Sequence, residues 1–205
     1  MPELLRAAPG PLFVPGSAYR YSNTGYCLLA LIAERVSGLA FPDLLSREIA
    51  GPLDMRHTLA YVAGGPEIPR RAFGYTVGPG GVARTDQSLT SATLGDGGMY
   101  ASADDLARWD TALSTDQLAT AATRALMFTP WVAAPHTGSH YGFGWFLRRS
   151  GGHLVAWHDG ETTGFRNAIE RCPARRAAVI LLSNRSDSAA PQIARRIMDA
   201  LLGGA

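Results

Sequence analysis

The sequence predicts an α+β fold: a helical lobe over residues 20–130, then an antiparallel sheet and a C-terminal helix over 141–203. Three observations carry this. Apolar segments of helical period, with recognisable start and stop residues, fill the first part. From Tyr141 onward the pattern becomes short apolar runs separated by turn residues such as Ser150-Gly151-Gly152, and short connections imply antiparallel neighbours. An amphipathic stretch, Pro191 to Leu202, follows the last run. With 205 residues the chain suits one domain or two small ones, and the pattern reads as one domain over 1–205; folding at that size removes roughly 70% of the extended chain's surface from water.

Residues 1–20 hold Pro2, Pro9, Pro11 and Pro15 with Gly10 and Gly16, which disfavours regular structure and predicts an extended lead-in. Thr24 to Ser37, TGYCLLALIAERVS, is apolar almost all round and stops at Gly38, which predicts a buried helix with a glycine C-cap. Pro42 to Ala50 predicts a short helix with proline in its first turn and a stop at Gly51-Pro52. Residues 61–98, rich in Gly and Pro and without sustained period, predict a long irregular excursion, a type more often functional than idle.

Ser102 reads as the N-cap of a helix with Asp104 and Asp105 in its first turn and Leu106, Trp109 and Leu113 on one face. A further helix is expected from Asp116 to Phe128, and a loop from Pro130 to Tyr141. Tyr141 to Arg149, His153 to Asp159, Thr163 to Arg171 and Ala177 to Asn184 predict a sheet of three or four strands. The run AAVILLSN is apolar without alternation, as a strand covered on both faces would be. Ile193, Ile197 and Leu201 share one face of the last helix, which is expected to cover the sheet.

The bulk properties narrow the function. Hydrophobic residues at 46% and charged residues at 18% are those of a folded globular protein. The formal charge is +2, all 19 basic residues are arginine, and the arginine pairs are scattered among apolar or acidic neighbours, which argues against a nucleic-acid surface. No apolar stretch has the length of a membrane span, and the N-terminus shows no signal-peptide pattern. Cys27 and Cys172 lack metal or redox spacing and read as buried thiols. His136 and His140 alone have a zinc-like spacing with no further ligand in frame, so no metal and no cofactor is expected.

PGSAYRYSNTGYCLLALIAERVSG, with Tyr21-Ser22-Asn23 at its centre, resembles the second motif of the serine hydrolases of the β-lactamase and penicillin-binding-protein superfamily. GGMYASADDLARW, YGFGW, HDGETTGFRN and AVILLSNRSD resemble further stretches of that family, in its order and over nearly the whole chain. The resemblance implies a β-lactamase/transpeptidase-like fold without its N-terminal portion. Its site would lie between the helical region and the sheet, where a serine attacks an acyl carbonyl of an ester, β-lactam or D-amino-acid peptide.

By that resemblance Tyr21 relays protons, Asn23 holds the substrate amide or the nucleophile's neighbour, and His158 takes the polar position of the third motif. Glu161 contributes a backbone N–H to the oxyanion, and Gly160 lets the substrate lie close. Asp159 stands where serine or threonine is usual. The first motif, Ser-x-x-Lys, cannot exist in a chain without lysine, so the resemblance is to the C-terminal part of such an enzyme, inactive alone. The alternative is a non-catalytic binding module or pseudoenzyme remnant.

Taken alone, Tyr21 to Asn23 is also what a loop tyrosine followed by a polar helix cap would look like, and His158 a strand histidine satisfied by a neighbour. Ser17, Ser22 and Ser183 are hydroxyls outside any nucleophile elbow. Without a neighbouring cation Tyr21 is expected to titrate near the ordinary phenol value of about 10. An exposed sheet edge and apolar surface are expected to be covered by self-association or by a missing N-terminal segment.

Overall fold

In a computed structural model that describes residues 10–86 and 93–203, the chain forms the expected α+β arrangement. Helix α1 (Asn23–Ser37) ends at Gly38, whose positive φ of 71° lets its N–H return to the Glu34 carbonyl. Helix α2 (Phe41–Leu45) continues into one π-helical turn, Ser46–Ala50. Strands β1 (Leu59–Ala60) and β4 (Met99–Tyr100) pair briefly, and β2 (Tyr75–Gly78) with β3 (Gly81–Arg84) forms a hairpin between them. Helix α3 (Ala103–Ala112) starts where the Ser102 hydroxyl accepts the Asp105 N–H, and α4 (Ala121–Met127) follows.

The main sheet has six strands, not three or four: β5 (Val132–Ala134), β6 (Ser139–Tyr141), β7 (Phe146–Ser150), β8 (His153–Thr162), β9 (Phe165–Cys172) and β10 (Ala177–Ser183). They form an antiparallel meander in the order β10-β9-β8-β7-β6-β5. The extra strands fall in Pro130 to Tyr141, expected as loop; their three-residue lengths are too short to show a period. Likewise the hairpin β2–β3 interrupts the expected irregular excursion, of which residues 87–92 lie outside the described residues, as do residues 1–9 of the lead-in.

Helix α5 (Ala190–Leu201) covers one face of the sheet, packing Ala194 and Met198 on Val155, Ala168, Cys172 and Val179. On the other face Leu113, Trp109, Met127 and Phe128 from α3, α4 and their ends pack on Trp145, Leu147, Ala156 and Ile169. Buried charges join the layers. Arg171 on β9 donates to the Asp110 carboxylate at 2.6 Å and the Ser114 hydroxyl at 3.1 Å. Arg148 on β7 donates to Asp199 of α5 at 2.6 Å and to Glu170 of β9.

Two expectations are corrected here. Helix α1 buries only Cys27 and Ala30, and leaves Leu29, Ile32 and Val36 exposed. In α5 the face on the sheet is Ala190, Ala194 and Met198, while Ile193, Ile197 and Leu201 are exposed. Ala194 and Met198 are fully buried at that contact, against Val155 and Cys172 of the sheet.

Candidate active site

The site starts at the N-terminus of α1. The Ser22 hydroxyl accepts the Gly25 N–H at 3.0 Å, so Ser22, not Asn23, is the cap, and Tyr21 stands just outside the helix. Asn23 is the first helical residue and is exposed. The Tyr21 ring stacks on Phe146 at 6.4 Å and lies 6.0 Å from the His158 ring. Two residues 137 positions apart in sequence are thereby brought side by side by the docking of α1's entrance on the start of β7 and the middle of β8.

His158 is oriented on both sides. Its Nδ1 lies 2.7 Å from the Asp159 carbonyl, which can only accept, so Nδ1 carries the hydrogen and Nε2 is left as the open nitrogen. Its ring is walled by Phe146 at 5.3 Å and Tyr141 at 6.4 Å. Tyr141 in turn shares a 3.2 Å hydrogen bond with the Tyr26 hydroxyl, and packs edge-on against Phe146.

The pairing of β8 changes at this point. Strand β7 pairs with it only from Phe146 opposite Trp157 to Ser150 opposite His153. Among the described residues, 158–162 of β8 therefore pair with β9 alone and leave their other main-chain edge unpaired. A Cβ built on Gly160 meets nothing within 4 Å, so there is open space over the strand. The Glu161 side chain is held by Arg166 across the hairpin at 2.6 Å. A cavity of ≈ 630 Å³ opens beside Tyr21, walled by Leu12, Phe13, Tyr19, Phe146, Arg20 and His136.

The electrostatics correct the expectation for Tyr21. Burial, then Tyr26, Asp159 and Asp96, push its phenol above the usual value, because each disfavours a phenolate. Burial does most to raise Tyr19 and Tyr141 as well. Asp96 accepts from the Thr93 hydroxyl at 2.7 Å, and lies beside Cys27, whose thiol is pushed up first by burial and then by that carboxylate. Its loop can approach only because residue 95 is glycine: with φ at 101°, a Cβ there would lie 2.5 Å from the Tyr26 carbonyl.

Of the other serines, Ser17 donates to the Val14 carbonyl at 2.6 Å and Ser22 is occupied as the cap. His136 is exposed on a short 3₁₀ turn, while His140 and His153 are strand residues. Among the described residues no group of three or more His, Cys, Asp or Glu is placed to hold a metal, and no helix is long and apolar enough to cross a membrane. Sequence reasoning missed Phe146, Tyr141, Tyr26 and Asp96 as parts of the site. Tyr26 and Tyr141 lie inside stretches already recognised, PGSAYRYSNTGYCLLALIAERVSG and YGFGW, whereas Phe146 and Asp96 fall just outside YGFGW and GGMYASADDLARW and carried no signal of their own.

A six-stranded antiparallel sheet with helices on both faces is a fold shared with solved penicillin-binding proteins. The solved penicillin-binding protein homologue of Pyrococcus abyssi, described as octameric, superposes with a TM-score of 0.82 at 26% identity, over 94% of this chain and 44% of that one. The D-amino acid amidase of Ochrobactrum anthropi superposes with a TM-score of 0.77 at 24% identity, over 95% of this chain and 59% of that one.

The family model described as Beta-lactamase matches residues 5–202, and the chain belongs to that family. It is 32% identical to penicillin-binding protein 4* of Bacillus subtilis, over 85% of this chain and 42% of that protein. It is 27% identical to a D-aminopeptidase of Brucella canis, over 98% of this chain and 38% of that protein. The chain thus spans about two fifths of the length of these curated relatives.

Proposed function

We propose that this chain is one wall of a serine acyl hydrolase acting on esters, β-lactams or D-amino-acid peptides, and that the nucleophile comes from a Ser-x-x-Lys segment the chain does not contain. The observation that carries this is the meeting of Tyr21 and His158, 6.0 Å apart, beside the unpaired edge of β8 where Gly160 leaves open space. An acyl substrate laid along that edge would have the Glu161 N–H aimed at its carbonyl oxygen as charge develops there. Tyr21, as its phenolate, would take the serine's proton on attack, and the phenol so formed would return that proton to the leaving group. His158 Nε2 would hydrogen-bond the substrate or the tyrosine.

Such a role for Tyr21 needs a cation to lower its phenol. None is supplied by the carboxylates that surround it, Asp96 and Asp159. On this reading the chain is inactive by itself. The second reading, a non-catalytic binding module or pseudoenzyme remnant, is favoured by the same carboxylates.

Intact-mass analysis after exposure to a fluorophosphonate and to a penicillin separates these. No adduct with the chain alone, and a stoichiometric adduct on the added serine when a Ser-x-x-Lys segment is supplied, is the expected result. An adduct on a serine of this chain would overturn the proposal. Reversible ligand binding with no adduct in either case would favour the remnant.

A further inference from the structure

Away from the candidate active site, a cavity of ≈ 330 Å³ has Tyr61, Glu67, Ile68, Phe73 and Arg84 among its walls. Residues 61–84 supply every wall, so one continuous stretch builds the cavity without help from distant parts of the sequence. Its size is at the lower end of small-molecule sites, about 300–1,000 Å³, and admits a molecule as large as one amino acid.

The hairpin β2–β3 sets its cationic wall. Arg84 stands opposite Tyr75, two residues past Phe73, so its side chain reaches diagonally to the Phe73 ring. The guanidinium carbon lies over that ring, 3.5 Å from its centre. Resting on the ring face fixes the group in place and leaves its N–H donors for an acceptor, such as a carboxylate bound by two parallel bonds. Arg71 lies over the same ring at 4.5 Å, but its charge is already met: it donates to Asp86 and to the Tyr100 hydroxyl. Among the described residues Arg84 has no carboxylate or hydrogen-bond partner, and Glu67, on the same cavity, has no cation or hydrogen-bond partner. Two opposite charges thus border one small space without meeting.

We propose that this cavity binds a free apolar α-amino acid, with its carboxylate on Arg84, its ammonium on Glu67 and its side chain against Tyr61, Ile68 and Phe73. A simple anion would face the Glu67 carboxylate, and a simple cation the Arg84 guanidinium. A zwitterion satisfies both, and each charge acts against ligands lacking the matching group. Both side chains are exposed and reachable from solvent, while Ile68 and Phe73 are partly buried and offer the apolar surface. The site lies outside the proposed hydrolytic chemistry and does not rest on it.

The chain alone suffices for the test. Amide NMR during titration with leucine, of either hand, should show saturable shifts centred on residues 61–84, with a Kd of about 1 mM or tighter. N-acetylleucine, without the ammonium, and leucinamide, without the carboxylate, should each bind at least about tenfold more weakly. Arg84→Gln and Glu67→Gln, both at exposed positions, should keep the circular dichroism of the wild type and each weaken leucine by about tenfold. No saturable shift, or shifts centred on Tyr21 and His158 instead, would overturn the proposal. So would leucine binding that survives both substitutions. N-acetylleucine binding as tightly as leucine would overturn it in favour of a plain carboxylate site on Arg84.

Discussion

Arg171→Met tests how the helical layer is held on the sheet. Arg171 is 2% exposed and its guanidinium ties β9 to Asp110 and Ser114 of the α3 region while lying 5.1 Å from the centre of the Phe128 ring. Methionine replaces much of the volume, so little cavity forms, but Asp110 is left as a carboxylate facing apolar neighbours. Removing one partner of such a pair costs about 3–5 kcal/mol, a large part of the 5–15 kcal/mol that holds a typical domain folded. With a urea slope of about 2–3 kcal/mol/M for a chain this size, the midpoint should fall by about 1–2 M. The double change Asp110→Leu with Arg171→Met removes both charges and should return to within about 1 kcal/mol of the wild type. Chemical denaturation followed by tryptophan fluorescence reads both. A single variant within about 1 kcal/mol of the wild type, or a double variant as unstable as the single, would refute the account of Arg171 as a buried tie between layers.

Other consequences can be checked directly. Tyr19, Tyr21 and Tyr141 all have phenols raised above the ordinary value, mainly by burial. The fold therefore favours their neutral forms, and the stability this confers is complete below about pH 10 and lost as pH rises through the raised values. An absorbance titration with a tyrosine ionising below about pH 8 would contradict it. Gly164→Ala should cost at least about 2 kcal/mol, because its φ is 79° and a Cβ would lie 2.6 Å from the Tyr75 nitrogen. By contrast Gly160→Ala should change stability by less than about 0.5 kcal/mol, since nothing lies within 4 Å of the added Cβ; thermal unfolding of the two variants decides the contrast.

Residues with strong local chemistry made the helices readable. Gly38 and Ser102 act as the caps their types suggest, and the change of period at Tyr141 marks the sheet. The short strands β5 and β6 were invisible because their pairing is a tertiary matter decided by β7. In α5 the apolar positions 193, 197 and 201 form a better stripe than Ala190, Ala194 and Met198, yet it is the latter three that face the sheet. Periodicity finds a stripe but not what it meets. What the contiguous motifs offered was a pair of candidates, Tyr21 and His158, and the fold brings their rings to 6.0 Å. Asp96, 75 residues from Tyr21 in sequence, had no local mark as its electrostatic neighbour.

That neighbour bears on the chemistry. A phenol becomes a useful base only when its anion is stabilised, and here burial, Asp159 and Asp96 all act the other way. Two carboxylates near one hydroxyl make a place where an added positive charge gains twice, by its attraction to them and by lowering the phenol. An ammonium or guanidinium entering beside Tyr21 would thus reverse the shift that the chain alone imposes. The direction of the Tyr21 shift in the presence of a bound cation therefore tests the proposed role of Tyr21 more directly than the presence of the tyrosine itself.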